Sequence, residues 1–190
     1  MRKGFTLVET MVAISLLMIA IVPPMLLTVQ SLSAAYYSRD QITAFYLAQE
    51  GLEEVHQIRD GQILLIAESS DASGIDIFGS LASYDNSQPF IIDATDNSIS
   101  ACAGGASPTY GCPPLKTDGT LYGYQPGWVD TNFTRVLQAC YVQSNGDCSG
   151  NETDEMRVQV TVSWHTGSYS TRSFTISEDL YRWVQDGSAT

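Results

Sequence analysis

Positive charge is scarce in this chain. It has 9 lysines and arginines against 21 aspartates and glutamates, which gives a formal net charge of −12. Contacts to nucleic-acid phosphates are made mainly by lysine and arginine, and no basic cluster follows residue 3. The composition therefore argues against DNA or RNA binding, and we expect no nucleic-acid partner.

Catalytic and metal-binding motifs are also missing. The chain has only two histidines, His56 and His165, and no Gly-x-Ser-x-Gly elbow, P-loop or dinucleotide fingerprint. A triad assembled by folding stays open, because triads need no fixed sequence order. We nevertheless expect no enzyme, no metal and no cofactor. Calcium is the less favoured alternative, because acidic loops at 93–97 and 151–155 carry oxygen ligands, although neither has the EF-hand order; solvated acidic loops are the preferred interpretation.

Charge is almost absent from a long N-terminal stretch. Between Phe5 and Val29 the only charged residue is Glu9. A helix of about 18 residues rises about 27 Å, close to the about 30 Å hydrocarbon thickness of a bilayer. A carboxylate in that environment costs roughly 2.5–3.5 kcal/mol. The stretch therefore predicts a membrane helix in which Glu9 needs a partner.

The residues at this end occur in a characteristic order. Arg2 and Lys3 precede Gly4, and the segment Phe-Thr-Leu-Val-Glu follows at 5–9 before the apolar run. This order resembles the class III signal of type IV pilin-like proteins. The resemblance implies that a membrane peptidase cuts after Gly4 on the cytoplasmic side, so that Arg2 and Lys3 are leader residues.

The same resemblance implies a partner for the buried carboxylate. In this family the peptidase also methylates the new amino terminus, which here is Phe5. The family's glutamate is thought to meet the terminal amine of a neighbouring subunit in the filament. Carried over to this chain, Glu9 pairs with the methylated amine of Phe5 in the next subunit.

Two other interpretations of the N-terminus are weaker. A cleaved secretory signal has a shorter apolar core followed by a small-residue site such as Ala-x-Ala, which is missing here. A single-span anchor explains Arg2 and Lys3 through the positive-inside rule. It explains neither Glu9 nor the position of Gly4 directly before an aromatic residue, so we favour the prepilin signal.

Beyond the apolar run, the sequence predicts an amphipathic continuation of the helix. Pro23 and Pro24 predict a kink or local unwinding, because each lacks an N–H and crowds the preceding turn. Apolar residues then recur every three or four positions up to Ile58, and Arg-Asp-Gly at 59–61 has the composition of a helix end. Residues 46–55, Tyr-Leu-Ala-Gln-Glu-Gly-Leu-Glu-Glu-Val, resemble a segment common in minor pilins of the PilV or GspI type.

Four cysteines lie far from the membrane segment. They stand in Gly-, Ser- and Pro-rich sequence, which favours disulfides formed in an oxidising compartment. Three pairings are possible, and we predict Cys102–Cys112 and Cys140–Cys148 because each pair closes a short loop. A zinc site is the alternative, but the separations of ten and eight residues do not match Cys-x2-4-Cys pairs.

The second half of the chain predicts antiparallel β-structure. Residues 156–165 alternate strictly between apolar and polar, which is typical of a strand with one buried face. A turn at Thr166-Gly167 and a returning strand at 169–176 complete a hairpin, whose apolar face we expect to pack on the amphipathic helix. The other predicted elements are a short helix around 75–81, a strand pair at 90–92 and 99 with a turn at 96–97, a disulfide-tied loop at 101–119, a strand at 133–143, and a last strand or edge at 180–183.

Aromatic residues cluster in a loop-rich stretch. Aromatic side chains are favoured at interfaces, and they also fill the core of a small disulfide-tied domain. The sequence leaves open whether this cluster forms an adhesive surface or a core. Its members are Tyr110, Tyr122, Tyr124, Trp128 and Phe133.

These observations predict an α+β, pilin-like fold in which a long N-terminal helix packs on an antiparallel sheet. The expected parts are a leader (1–4), a membrane and filament-core half of the helix (5–29), an amphipathic half (30–60) and an extracytoplasmic β-rich domain (61–190). The resemblance implies a minor pilin of a type IV pilus, whose partners are other pilin subunits and the prepilin peptidase/methyltransferase. It would be held in the inner membrane as a single-pass protein before assembly. A pseudopilin of a type II secretion system is the alternative, and a single-span anchored enzyme or binding protein is less favoured.

Overall fold

The computed structural model describes residues 4, 6–69, 71, 73–148, 154–165 and 171–184. Within these residues the chain forms one long N-terminal helix, a 3-10 helix and two antiparallel sheets. The predicted α+β, pilin-like architecture is therefore confirmed. The chain divides into two compact units, residues 1–40 and residues 41–190.

The first unit consists largely of the N-terminal part of helix α1, which runs from Leu7 to Glu68. Thr6 precedes the helix, and its hydroxyl accepts a hydrogen bond from the Glu9 backbone N–H at 3.3 Å. Threonine is a good residue for this position, because its oxygen satisfies an N–H that lacks a partner in the first turn. The large apolar side chains from Leu7 to Val29 are exposed, so they find no cover within the unit.

Pro23 and Pro24 lie inside helix α1. The helix is continuous through both prolines, so the predicted local unwinding was wrong, whereas the kink stays a prediction. Each proline removes a single N–H donor. The residues on either side are mostly good helix formers, such as leucine, methionine and alanine, and they maintain the helix across the interruption.

In the second unit, the helix packs on the sheet through one stripe. Ala44, Leu47, Ala48 and Val55 are buried and belong to the main core. Their spacing of three, four and seven residues is the one that places side chains on a single helix face. The predicted packing of the amphipathic half against the strands is therefore present.

The helix end lies further along than predicted. We expected it near Gly61, but α1 continues to Glu68. The residues after Gly61 are mostly good helix formers, and Ile63 packs against the main core. The helix propensity of these residues and the contact of Ile63 with the core outweigh the helix-breaking tendency of one glycine.

In the described part of the chain, eight strands form the two sheets. They are β1 (Phe90–Asp93), β2 (Ser98–Ala101), β3 (Lys116–Thr117), β4 (Tyr122–Gly123), β5 (Val129–Asp130), β6 (Phe133–Tyr141), β7 (Glu155–Trp164) and β8 (Arg172–Tyr181). The main sheet has the order β2-β1-β6-β7-β8, and a small sheet has the order β4-β3-β5, all with antiparallel pairing.

Strand β7 shows why the main sheet has two different faces. Its alternate residues Met156, Val158, Val160, Val162 and Trp164 are all buried and belong to the core shared with the helix. This is the face that the alternation predicted. The opposite face of the sheet carries a second, smaller core, where Cys102, Tyr110 and Tyr124 pack over Ile91, Cys112 and Val136.

Several other elements differ in extent from the prediction. The predicted last strand or edge at 180–183 is confirmed for Leu180 and Tyr181, which end the edge strand β8, with Leu180 facing the core; residues 182 and 183 lie beyond the strand. The predicted turn at Thr166-Gly167 and the start of the returning strand at Tyr169 lie outside the described residues. The short helix is a 3-10 helix at Gly79–Tyr84, slightly later than 75–81.

The small sheet was missed altogether. Strands β3, β4 and β5 have two residues each, which is too short for any alternation to be recognised in the sequence. They lie in and beyond the stretch predicted as a disulfide-tied loop. The loop itself is present, closed by the predicted disulfide Cys102–Cys112, and the predicted disulfide Cys140–Cys148 is also formed.

Candidate processing and assembly site

Gly4 is the one residue of the predicted cleavage junction that the structure describes. Arg2, Lys3 and Phe5 lie outside the described residues. A Cβ built on Gly4 would meet no heavy atom within 4 Å. The fold therefore has room for a side chain at this position, and a requirement for glycine would have to come from an enzyme that binds the junction.

Glu9 lies in the first turn of helix α1. Its carboxylate is favoured there by the positive end of the helix dipole. Within the part of the chain that the structure describes, no cation pairs with this carboxylate. The side chains around it in sequence, Leu7, Val8 and Met11, are exposed apolar groups. Glu9 thus stands in apolar surroundings with no neutralising group from its own described chain.

The helix that carries Glu9 has the composition of a membrane span. An 18-residue window near its N-terminus has a mean hydropathy of 2.4, and none of that window is buried. Length and composition therefore suffice for crossing a bilayer. Lipid or other apolar helices would have to cover this surface, because exposing it to water is unfavourable in proportion to its area.

A second polar site lies inside the globular unit, and the sequence analysis missed it. Arg135 on β6 is fully buried. Its Nη2 donates to both carboxylate oxygens of Glu54, at 2.8 and 3.1 Å, and its Nη1 donates to Glu50 at 2.9 Å. The backbone carbonyls of Leu47 and Ile92 accept the remaining bonds, at 3.3 and 3.0 Å. One arginine therefore ties the helix to two strands.

Burial controls the chemistry of this cluster. Desolvation raises the pKa of Glu54 from its ordinary 4.5 to about 7. Arg135 opposes this rise, because a nearby positive charge favours the carboxylate, whereas the negative charge of Glu50 adds to it. The pair is thus held in a setting where the loss of either partner would leave a costly buried charge.

Gly51 explains why the helix can come so close to the sheet. A Cβ at this position would lie 3.1 Å from Val160 Cγ1 and 3.2 Å from Arg135 Cδ. The segment at 46–55 that resembles minor pilins thus has a clear structural use in this chain. Its glycine allows close approach, and Glu50 and Glu54, one helical turn apart, hold the arginine.

The sequence contains a feature from which the ion pairs of Arg135 could have been predicted. It is the only arginine in the predicted strand at 133–143, whose neighbouring residues are mostly apolar. Glu50 and Glu54 stand on the helix face next to the predicted apolar stripe. Pairing a lone strand cation with two helix carboxylates would have predicted the contact.

The histidines have ordinary partners. His56 Nε2 lies 2.8 Å from Glu178 Oε1, and this contact joins the helix to β8. His165 Nε2 lies 2.8 Å from the Thr171 hydroxyl. Each histidine therefore holds two segments of the globular unit together.

The aromatic cluster packs inward. Tyr122, Tyr124 and Phe133 pack in or against the main core, and Tyr110 covers the smaller one. Trp128 is half-buried. Of the two uses left open, core filling therefore describes Tyr110, Tyr122, Tyr124 and Phe133.

The acidic loop at 93–97 has a structural use. Asp93 accepts hydrogen bonds from the backbone N–H and hydroxyl of Thr95, at 3.0 and 2.8 Å, and from the Tyr124 N–H at 3.2 Å. The other acidic loop falls partly outside the described residues, at 151–153. Among the residues described, no three His, Cys, Asp or Glu side chains come together as a metal site would require.

The N-terminal features agree with a known sequence family. Residues 1–23 match the family model of the prokaryotic N-terminal methylation motif. No curated protein and no solved structure matches the chain. The match includes Gly4, Phe5 and Glu9, so the resemblance seen in the sequence is confirmed over the leader and the first part of helix α1. The chain therefore carries the class III prepilin signal of type IV pilin-like proteins, followed by a long apolar helix that fits a pilin.

Proposed function

We propose that this protein is a minor pilin, a non-enzymatic structural subunit of a type IV pilus. The observation that carries the proposal is the prepilin motif at residues 1–23, continuous with an apolar helix whose side chains are exposed from Leu7 to Val29. After cleavage between Gly4 and Phe5 and methylation of Phe5, the subunit is held in the inner membrane until assembly, with its globular unit outside the cytoplasm.

The energetics of the helix support assembly through it. In the membrane, lipid covers the apolar side chains of residues 7–29, and in a filament the helices of other subunits cover the same surface. Because the surface leaves one apolar environment for another, extraction costs little hydrophobic free energy. The helix can therefore serve both as a membrane anchor and as the core of a polymer.

Glu9 supplies the register between subunits. A carboxylate left alone in such a bundle would cost several kcal/mol. The cleaved and methylated amine of Phe5 in a neighbouring subunit neutralises it, and only one axial offset between two helices brings these groups together. The ion pair thus favours one stagger over the others.

The globular unit supports a structural use. Arg135 and Glu54 are buried, and together with the partly exposed Glu50 they hold the helix against the sheet. The two disulfides agree with an oxidising compartment outside the cytoplasm. Both features suit a rigid subunit that is exported and then polymerised.

The test is analysis of the protein from native cells and filaments. We expect mass spectrometry of the sheared filament fraction to find a chain that begins with N-methylated Phe5. A protein that retains its initiator methionine and stays alone in the membrane would overturn the proposal in favour of a single-span anchor.

A gene deletion then separates the pilus from the secretion pseudopilus, which uses the same helix. The pilus assignment predicts that loss of the protein reduces surface pili seen by electron microscopy, while secretion of folded enzymes continues. Complementation with the full chain is the control. Normal piliation together with blocked secretion would instead identify a pseudopilin.

A further inference from the structure

The main sheet carries a polar cleft on the face that points away from the helix. The cleft has a volume of about 390 Å³ and is lined by residues of β6, β7 and β8 and by the disulfide Cys140–Cys148. This volume lies within the range of about 300–1,000 Å³ that small-molecule sites occupy. We call it the outer cleft.

The alternation of β7 establishes which way the outer cleft faces. Val158 and Val160 point to the core shared with the helix, so Arg157 and Gln159 between them point to the opposite face. The cleft is therefore separate from helix α1 and from the buried Arg135 cluster. A ligand could occupy it without disturbing either.

Two cross-strand rows build the floor of the outer cleft. In the first row, Gln138, Gln159 and Ser177 are register partners across the three strands. In the second row, Arg157 is the register partner of Asp179. Neighbouring strands lie about 4.8 Å apart, so amide, hydroxyl and charged groups follow one another at short, regular intervals.

The charges of the floor cancel. Arg157 Nε and Nη2 donate to the two oxygens of Asp179, at 2.7 and 3.1 Å, and Nη1 donates to the Gly146 carbonyl at 3.3 Å. Such a bidentate pair presents donors and acceptors with no net charge. In a chain of net charge −12, an anionic ligand would be repelled as well. The floor therefore favours a neutral ligand.

The remaining groups favour a ligand with many hydroxyls. Gln138 Nε2 donates to the Ser87 carbonyl at 2.8 Å, which leaves its amide oxygen as an acceptor. Gln159 and Ser177 are exposed, and each can donate and accept. A hydroxyl does both, so a polyhydroxylated molecule matches this mixture better than an apolar one.

An aromatic ring lies beside the floor. Tyr181 follows Asp179 by two residues on β8, hence on the same face of the sheet, and it is 57% exposed. Its register partner on β7 is Glu155. An exposed aromatic ring offers an apolar face next to polar groups, the combination that a sugar ring needs for its C–H face and its hydroxyls.

We propose that the outer cleft binds a neutral carbohydrate. Gln159, Ser177 and the Arg157–Asp179 pair hydrogen-bond its hydroxyls, and Tyr181 packs against one face of a sugar ring. The inference goes beyond the proposed pilin function and does not depend on it, because the cleft lies on the sheet face that the helix leaves open.

The test is binding of the purified full-length chain to a glycan array that carries neutral, sialylated and sulfated oligosaccharides. The protein is kept in a zwitterionic detergent, because glycoside detergents carry the chemistry under test. We expect binding to neutral members and none to the anionic ones. No binding to any neutral member, or binding confined to the anionic ones, would overturn the proposal.

Two variants locate the binding. Gln159→Leu should weaken binding to the best neutral oligosaccharide by about tenfold, because it removes an exposed donor and acceptor. Ser173→Leu is the matched control, since Ser173 is exposed on the same face of β8 but lies outside the cleft, and it should bind like the wild type. Equal affinity of Gln159→Leu and the wild type would also overturn the proposal. Tryptophan fluorescence, to which the buried Trp164 contributes, checks that both variants are folded.

Discussion

The buried arginine allows the most direct test of the fold. Replacing Arg135 with methionine keeps much of the side-chain length but removes the charge and every hydrogen bond that the guanidinium makes. Two carboxylates and two backbone carbonyls lose a donor. Breaking a buried ion pair by removing one partner costs about 3–5 kcal/mol, a large part of the about 5–15 kcal/mol that stabilises a typical domain.

The loss of stability in Arg135→Met should depend on pH. The raised pKa of Glu54 determines whether that loss grows or shrinks as the pH rises. In the unfolded chain this carboxyl loses its proton near 4.5, whereas in the folded protein it keeps the proton up to about 7. The folded state therefore binds more protons in this window, so the stabilisation from Glu54 is complete below about 4.5 and is lost as the pH rises through about 7. The difference between these two pKa values corresponds to about 3 kcal/mol.

Removal of Arg135 extends the pH range over which the folded state loses stability. Arg135 lowers the pKa of Glu54, so in Arg135→Met that pKa rises further and the variant keeps losing stability above pH 7, where the wild type has levelled off. Each additional pH unit costs about 1.4 kcal/mol until the carboxyl ionises. We therefore expect the penalty of the substitution to be larger at pH 8 than at pH 5 by at least about 1 kcal/mol.

The measurement is urea denaturation of the full-length chain in detergent at both pH values, followed by tryptophan fluorescence, to which the buried Trp164 contributes. Arg157→Met is the matched control, because Arg157 pairs with Asp179 in a half-exposed setting, and such pairs contribute about 0–1 kcal/mol. Adding Glu54→Gln to Arg135→Met should remove the pH dependence. Equal losses for the two arginines, or a pH-independent penalty at Arg135, would refute the reasoning.

Three further substitutions test the helix and the junction. Glu9→Ala should be cleaved and methylated normally but should be depleted from sheared filaments by immunoblot, and normal incorporation would contradict the pairing with the Phe5 amine. Gly4→Val should leave the globular unit unchanged, since a Cβ there meets nothing within 4 Å, yet mass analysis should find the uncut chain. Gly51→Leu should destabilise the full chain by about 1–3 kcal/mol in urea, because the new side chain collides with Val160. Gly61→Leu is its control in the same helix, where a Cβ meets nothing, and it should be neutral or stabilising by up to about 1 kcal/mol.

The strongly periodic parts of the fold were predictable. The alternation at 156–165 identified β7 and its buried face, because a period of two sustained over ten residues is specific to a strand with one face in the core. The order of charges and small residues before Phe5 predicted the prepilin signal for a similar reason. A motif made of consecutive residues can be recognised in the sequence without knowledge of the fold.

Features that depend on folding were harder to predict. The Arg135 cluster joins residues more than 80 positions apart, and nothing local at either end requires it. The three short strands of the small sheet are held by pairing with one another and by hydrogen bonds from Tyr124 and Gln125 to Asp93, about 30 positions earlier in the chain. Helix α1 passes Gly61 for the same kind of reason, since tertiary contacts of Ile63 outweigh a local preference.

Glu54 and Glu9 both need a group that neutralises a carboxylate, and the source of that group differs between them. Each is a carboxylate in apolar surroundings on the same helix, and each is costly if left alone. Glu54 has its cation inside the chain, from Arg135 at 2.8 Å, and the globular unit is therefore complete by itself. Glu9 has no such cation among the described residues, although its surroundings are apolar for two turns on the C-terminal side. In our proposal, a second molecule brings the cation that Glu9, the one charge of the apolar segment 5–29, lacks in its own chain. Glu9 would then determine assembly, whereas Glu54 contributes to folding.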